Sequence, residues 1–264
     1  QKIQSIIREV ATILPVIEVM TTKFTWSVGR SQVNYPYIQI QDSVYISGAA
    51  IEYDIEARVI KEYQSQNVIG YLPAKKKCAK TVMFTAHYDH LGRMGADTYF
   101  PGANDNASGS AMLLTMAKYF KENPSDYNVM FVAFAGEEAG LLGSKHFVEN
   151  PLFKLKKIKF LVNLDIMGSG EEGITVVNGT LFKKQFDLLQ TINKEEGLLA
   201  KIKIRGPAAN SDHYWFTEKG VPAFFIYTMG PNKHYHDIFD EYEALSFSEY
   251  EDITKLLIEF LKRI

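Results

Sequence analysis

His87 and Asp89 stand two residues apart in His87-Tyr88-Asp89-His90, at the end of the apolar run 81–86. A neutral imidazole can ligate a metal through one ring nitrogen while a carboxylate two residues on orients the ring through the other. His87 is therefore the first candidate ligand, with Asp89 behind it. The combination recurs down the chain. Glu137-Glu138 follows the apolar run 128–135, Asp165 follows 159–164, and His236-Asp237 comes shortly after 221–227. Asp105 adds an acid from the loop Gly102-Ala103-Asn104-Asp105-Asn106-Ala107-Ser108-Gly109. Adjacent carboxylates at the end of a buried strand are costly unless a positive charge offsets them. Two imidazoles and three carboxylates can hold two divalent ions a few ångströms apart, one carboxylate bridging them, and a further acid is then left to act as a base. The single Cys78 rules out a cysteine cage, so any metal sits on His, Asp and Glu.

Residues so far apart meet only if the elements before them end at one place. An apolar run that stops at His-x-Asp reads as a buried strand whose C-terminal end faces a cleft, the edge where open α/β sheets place their chemistry. Runs at 67–72, 81–86, 128–135, 159–164, 173–178, 200–205 and 221–227 read as strands. Helical spacing marks 107–120, 181–196 and 247–264, and a helix opens near 210–213. The alternation predicts an α/β fold with a mixed, largely parallel central sheet flanked by helices. Residues 1–21 carry Ile3, Ile6, Ile7, Val10, Ile13 and Leu14 at near-helical spacing until Pro15 interrupts, which predicts a docking helix or helix pair. The stretch 24–60 reads as a small excursion of short strands and loops, and the 264 residues as one domain.

The segments HYDHLG, PGANDNASG, FAGEEAGLLGS, NLD and YHDIFDEYE, in this order, resemble the zinc-dependent metallopeptidases of family M28. The likeness implies a three-layer zinc-exopeptidase-like sandwich and a metal-dependent exopeptidase that hydrolyses the N-terminal peptide bond. By position it implies His87, Asp105, Glu138, Asp165 and His236 as metal ligands, Asp105 as the bridge and Glu137 as general base to a metal-activated water. It implies two zinc ions, with manganese or cobalt as substitutes on such nitrogen and oxygen donors. It also implies a cis peptide between Asp105 and Asn106. Tyr235, next to His236, reads as either a donor to a developing oxyanion or an aromatic in the cleft wall, with Tyr227 the weaker candidate for the first role. Relatives often carry an inserted protease-associated domain, for which 24–60 is too short.

Lys+Arg 29 against Asp+Glu 31 gives a net charge of −2, which offers no global field for nucleic acid or an anionic membrane. Peptides with a free N-terminus are the expected substrates. No apolar stretch reaches the roughly 18 residues that suggest a membrane span. The triplet Lys75-Lys76-Lys77 reads as a solvated turn, and His90, His146 and His234 as loop or surface histidines. Asp212-His213 reads as either a cleft lining or a helix cap, while Asn106 and Asn178 match the glycosylation pattern. A secreted or periplasmic location is the expectation, because bacterial relatives are often exported and the chain begins with Gln1 rather than Met. The competing enzyme is a glutaminyl-cyclase-like acyltransferase, which shares the fold but uses one zinc. The full ligand set and the complete PGANDNASG loop favour hydrolysis over that reading. A binding module that kept only the fold is the third alternative, opposed by Glu137 beside Glu138.

Overall fold

The computed structural model describes residues 6–7, 9–77 and 80–264; Ile3 and Cys78 lie outside them. The chain falls into two compact units, residues 1–64 and 65–264. In the first, strands β1 (Val16–Met20) and β2 (Tyr37–Gln41) pair in parallel, from Val16 opposite Tyr37 to Met20 opposite Gln41. A helix or helix pair was expected over 1–21; helical residues occur at Ile6, Ile7, Glu9 and Val10, but β1 occupies the residues after Pro15. Val16-Ile17-Glu18-Val19 is three-quarters β-branched, and such side chains favour a pleated strand over a helical turn.

The second unit is built on β3 (Val68–Leu72), β4 (Thr81–His87), β7 (Asn128–Phe134), β8 (Ile158–Leu164), β9 (Gly173–Val177), β10 (Ile202–Ile204) and β11 (Ala223–Met229). Between β4 and β7 lies a small hairpin of β5 (Gly92–Met94) and β6 (Thr98–Phe100), which the sequence did not announce. The seven long-sheet strands run in the order β10-β9-β11-β8-β4-β7-β3. Neighbours are parallel except at β9–β11 and β3–β7. The sheet is thus mixed and largely parallel, and the C-terminal ends of β7, β4, β8 and β11 lie along one edge.

Helices α1 (Gly109–Glu122), α2 (Leu142–Glu149), α3 (Lys183–Glu196), α4 (His213–Glu218) and α5 (Tyr250–Arg263) complete three layers. Alternation along each strand sorts the core. Val82, Phe84 and Ala86 of β4 join Met112, Met116, Leu189, Leu256 and Phe260 of α1, α3 and α5. Met83 of β4 and Phe134 of β7 face the other way, onto Phe147 of α2 and Phe216 of α4. Because His87 is an even number of residues from Met83, it belongs to this second face. No helix among the described residues is long and apolar enough to cross a membrane.

Candidate metal centre

His87 is the last residue of β4 and is buried. Its Nδ1 lies 3.0 Å from the main-chain oxygen of Asp89, and a carbonyl only accepts, so Nδ1 carries the hydrogen. Nε2 of the neutral ring is then free to ligate. Nε2 faces Asp105 Oδ1 at 3.2 Å and Asp165 Oδ1 at 3.4 Å. The carboxylate of Asp89 is not the group that orients the ring, being 3.9 Å from Nδ1. It accepts instead the main-chain N–H groups of Glu137 at 3.1 Å and Glu138 at 3.2 Å, tying the loop after β7 to the loop after β4.

Asp105 turns its second oxygen to His236, with Oδ2 3.3 Å from Nε2. That nitrogen is also 3.3 Å from Glu138 Oε2. One oxygen of Asp105 therefore faces each imidazole. The loop that carries Asp105 is held from several sides. Asn106 donates to Leu164 O at 3.0 Å, while Asn104 Oδ1 accepts from Gly168 N and Ser108 Oγ from Met167 N, each at 2.8 Å. The polar residues of the Gly-rich segment thus satisfy the main chain that leaves β8. Gly102, at φ 65°, has His90 so close that a Cβ would sit 2.5 Å from its ring and 2.7 Å from Asp105 O. No other residue fits there. The Asp105–Asn106 peptide is cis, as the resemblance implied.

Asp165 follows β8 and is oriented by a buried chain of hydrogen bonds. Thr85 donates to Asn163 Oδ1 at 2.7 Å, Asn163 donates to Ser211 Oγ at 2.8 Å, and Ser211 donates to Asp165 Oδ2 at 3.2 Å. Its other oxygen makes no hydrogen bond, although buried. His87, Glu137 and Asp165 form one group whose ligand atoms lie within 4.8 Å of one another, and His87, Asp105 and Glu138 form a second. Asp89, Asp105, Glu137, Glu138, Asp165, His87 and His236 are thus brought together. Tyr235 stacks on His236 with ring centres 3.9 Å apart, while the Tyr227 hydroxyl is taken by Arg205 at 3.2 Å.

Three further residues border the site: one expected at the surface, one with two open readings of which the structure removes the helix cap, and one the motifs do not mark. His90 is not a surface residue: its Nδ1 lies 3.0 Å from Glu138 Oε1 and its ring meets His236 edge-on. Asp212 makes no capping bond to α4; it is fully buried, neither oxygen has a hydrogen-bond partner, and the Ser144 hydroxyl beside it donates to Leu141 O instead. Asp240, which had drawn no notice, accepts the main-chain N–H groups of Asn104 and Asp105, both at 3.0 Å. No local pattern marks an acid that folds back onto a loop 135 residues away. Asn106 and Asn178 are each 1% exposed, which closes both to glycosylation.

The electrostatics follow from packing carboxylates out of water. Burial pushes Glu137 up to about 9; charge on His87 opposes this, and Asp165, Asp212 and Glu138 add to it. Burial likewise raises Asp165, and takes Asp212 to about 7. Burial works against a charged ring at His236, but Asp105 and Glu138 outweigh it and lift the ring to about 10. His87 is raised in the same way by Asp165 and Asp105. Asp105 is held well below its usual range by the two imidazoles, against the effect of burial. Without a metal, protons on the rings offset the carboxylates. A divalent cation does the same with greater charge, and imidazole nitrogen with carboxylate oxygen is a donor set that zinc accepts. The hydrogen-bond-free Asp165 oxygen and the paired faces of Asp105 fit such ions.

Comparison with known proteins shows the family and the fold. The model of peptidase family M28 matches residues 67–261. Aminopeptidase YwaD of Bacillus subtilis (strain 168) is 33% identical over 90% of this chain and 54% of its own length. The solved zinc aminopeptidase BSAP from Bacillus subtilis superimposes with a TM-score of 0.64 at 29% identity, over 75% of this chain and 49% of that one. The chain thus spans about half the length of these relatives. The glutaminyl cyclase of an Acidobacteriales bacterium also superimposes, with a TM-score of 0.64 and 25% identity, over 75% of this chain and 72% of that one.

Proposed function

The chain belongs to peptidase family M28, and from that premise we propose that it is a two-zinc aminopeptidase acting on peptides with a free N-terminus. The two faces of Asp105 carry the proposal. His87 and Asp165 with Asp105 Oδ1 would hold one ion, and His236 and Glu138 with Asp105 Oδ2 the other. When bound, the metal supplies Lewis-acid activation of water and of a carbonyl oxygen.

The remaining steps belong to the protein's own side chains. Glu137 has a basicity raised by burial, which suits it to take a proton from water and return it to the leaving amine. Asp89 fixes that carboxylate indirectly, through the main-chain N–H groups of Glu137 and Glu138. Tyr235, whose hydroxyl is held neutral by burial and the surrounding acids, is available to donate to the oxyanion. The surplus of carboxylates favours an ammonium at the substrate's N-terminus. The similarity to a glutaminyl cyclase is the observation behind the second reading, a single-zinc acyltransferase. The second imidazole and the doubly facing Asp105 support hydrolysis.

Glu137→Gln tests the base. The variant should bind zinc as the parent does and lose about 10²–10⁴-fold in hydrolysis of an aminoacyl-anilide. Parent-like turnover would show that Glu137 is not the base.

A further inference from the structure

The opposite edge of the sheet holds a second concentration of charge. Residues 75–80 contain Lys75, Lys76, Lys77 and Lys80, and residues 154–159 contain Lys154, Lys156, Lys157 and Lys159; neither window has an acid. They lie 74 residues or more apart in sequence, and each alone reads as a wet loop. The fold joins them. β4 and β8 are parallel neighbours, with Thr81 opposite Ile158, so the two windows enter the sheet side by side. Between them is a cavity of about 540 Å³ lined by Lys75, Lys77, Lys157, Thr81, Tyr71 and Phe153 among others. Asp126 is the only acid in the neighbouring turn before β7, and it pairs with Lys76 at 2.9 Å. The seven residues of β4 separate this cavity from His87 by roughly 20 Å at about 3.3 Å per residue.

Ammonium groups gathered around one cavity make it locally positive, which favours an anion there. A single carboxylate meets one or two ammoniums, whereas a compact multivalent anion meets several at once. Lysines present point charges without the planar fork that selects lone carboxylates. Thr81, Tyr71 and Phe153 also line the cavity, so a hydroxyl and two aromatic rings stand beside the lysines. We infer that this lysine-lined cavity binds clustered phosphate, at a site separate from the metal centre.

Tripolyphosphate is the soluble probe, and vesicles of phosphatidylglycerol, with phosphatidylcholine as control, test the same chemistry on a lipid surface. Titration calorimetry and co-sedimentation read binding without turnover, so the result is independent of the aminopeptidase reading. Lys75→Ala/Lys77→Ala/Lys157→Ala removes three exposed side chains outside the strands. At about fivefold per lysine, it should weaken tripolyphosphate binding roughly a hundredfold. Lys184→Ala/Lys194→Ala, which removes two exposed lysines of α3, should leave binding within about twofold, separating a local site from net charge. Rising salt should weaken the parent's binding. Binding of tripolyphosphate alone assigns the site to free phosphate, and binding of phosphatidylglycerol vesicles as well assigns it to headgroups. No binding of either probe at low salt, or equal loss in both variants, overturns the inference.

Discussion

Asp240→Asn isolates a contact that supports the proposed metal centre without belonging to it. Asp240 is fully buried, and its two oxygens accept the main-chain N–H groups of Asn104 and Asp105 at 3.0 Å each. Asparagine has nearly the same shape but one acceptor oxygen, so its NH₂ group must face an N–H that has lost its partner. Hydrogen bonds to charged groups contribute about 1.5–3 kcal/mol each, and a buried donor left unpaired costs about 1–3 kcal/mol. The substitution should therefore cost about 2–4 kcal/mol, a large share of the roughly 5–15 kcal/mol typical of a folded protein. The damage falls on the peptide units that aim Asp105 at His87 and His236. Zinc affinity, read by competition with a chromophoric chelator, should drop about 10–100-fold, the usual effect of losing a group that orients a ligand. Urea denaturation of the metal-free protein reads the stability separately, with an unchanged m-value. If Asp240→Asn matched the parent within 0.5 kcal/mol and bound zinc equally well, the loop would not depend on this carboxylate and the reasoning would fail.

Metal uptake should release protons. The metal-free His236 ring, lifted to about 10 by Asp105 and Glu138, is protonated at pH 7, so a cation must displace that proton. Affinity should then rise with pH, by up to about tenfold per unit for each proton displaced. Zinc titrations in two buffers of different ionisation enthalpy would measure the release, and identical heats would contradict it. The apolar layer gives an independent test. Phe160 is fully buried, its ring 4.8 Å from Phe224 and 5.4 Å from Phe260, so Phe160→Ala should cost about 3–5 kcal/mol in denaturation.

The strands that build the centre were legible because they are buried on both faces. Val82-Met83-Phe84 and Phe160-Leu161-Val162 cannot alternate with polar residues, and continuous apolar runs ending in His87 and Asp165 stand out. The helix after the Gly-rich loop was legible from its periodicity and begins at Gly109, two residues past the expected start. β1 was hidden because a short β-branched segment next to a helical pattern carries both periods. The β5–β6 hairpin has three residues per strand, too few to establish alternation. His90, Asp212 and Asp240 owe their positions to tertiary packing. His90 and Asp240 bond to residues from distant segments that no spacing in the chain announces, whereas Asp212 stands in a stretch the sequence already marks as a cleft lining or a cap. Asp89 was placed near the centre by its two-residue offset from His87, but which of its oxygens orients the ring depends on the turn after β4.

Whether this chain is a two-zinc aminopeptidase is decided by its zinc content, measured by elemental analysis of protein purified without chelator and paired with hydrolysis of a panel of aminoacyl-anilides. Close to two zinc ions per chain are expected, with release of the N-terminal residue that a chelator abolishes and zinc restores. One zinc per chain, with pyroglutamate formed from a Gln-peptide and no hydrolysis, would contradict it, as would a protein that neither holds zinc nor cleaves any anilide after zinc is supplied.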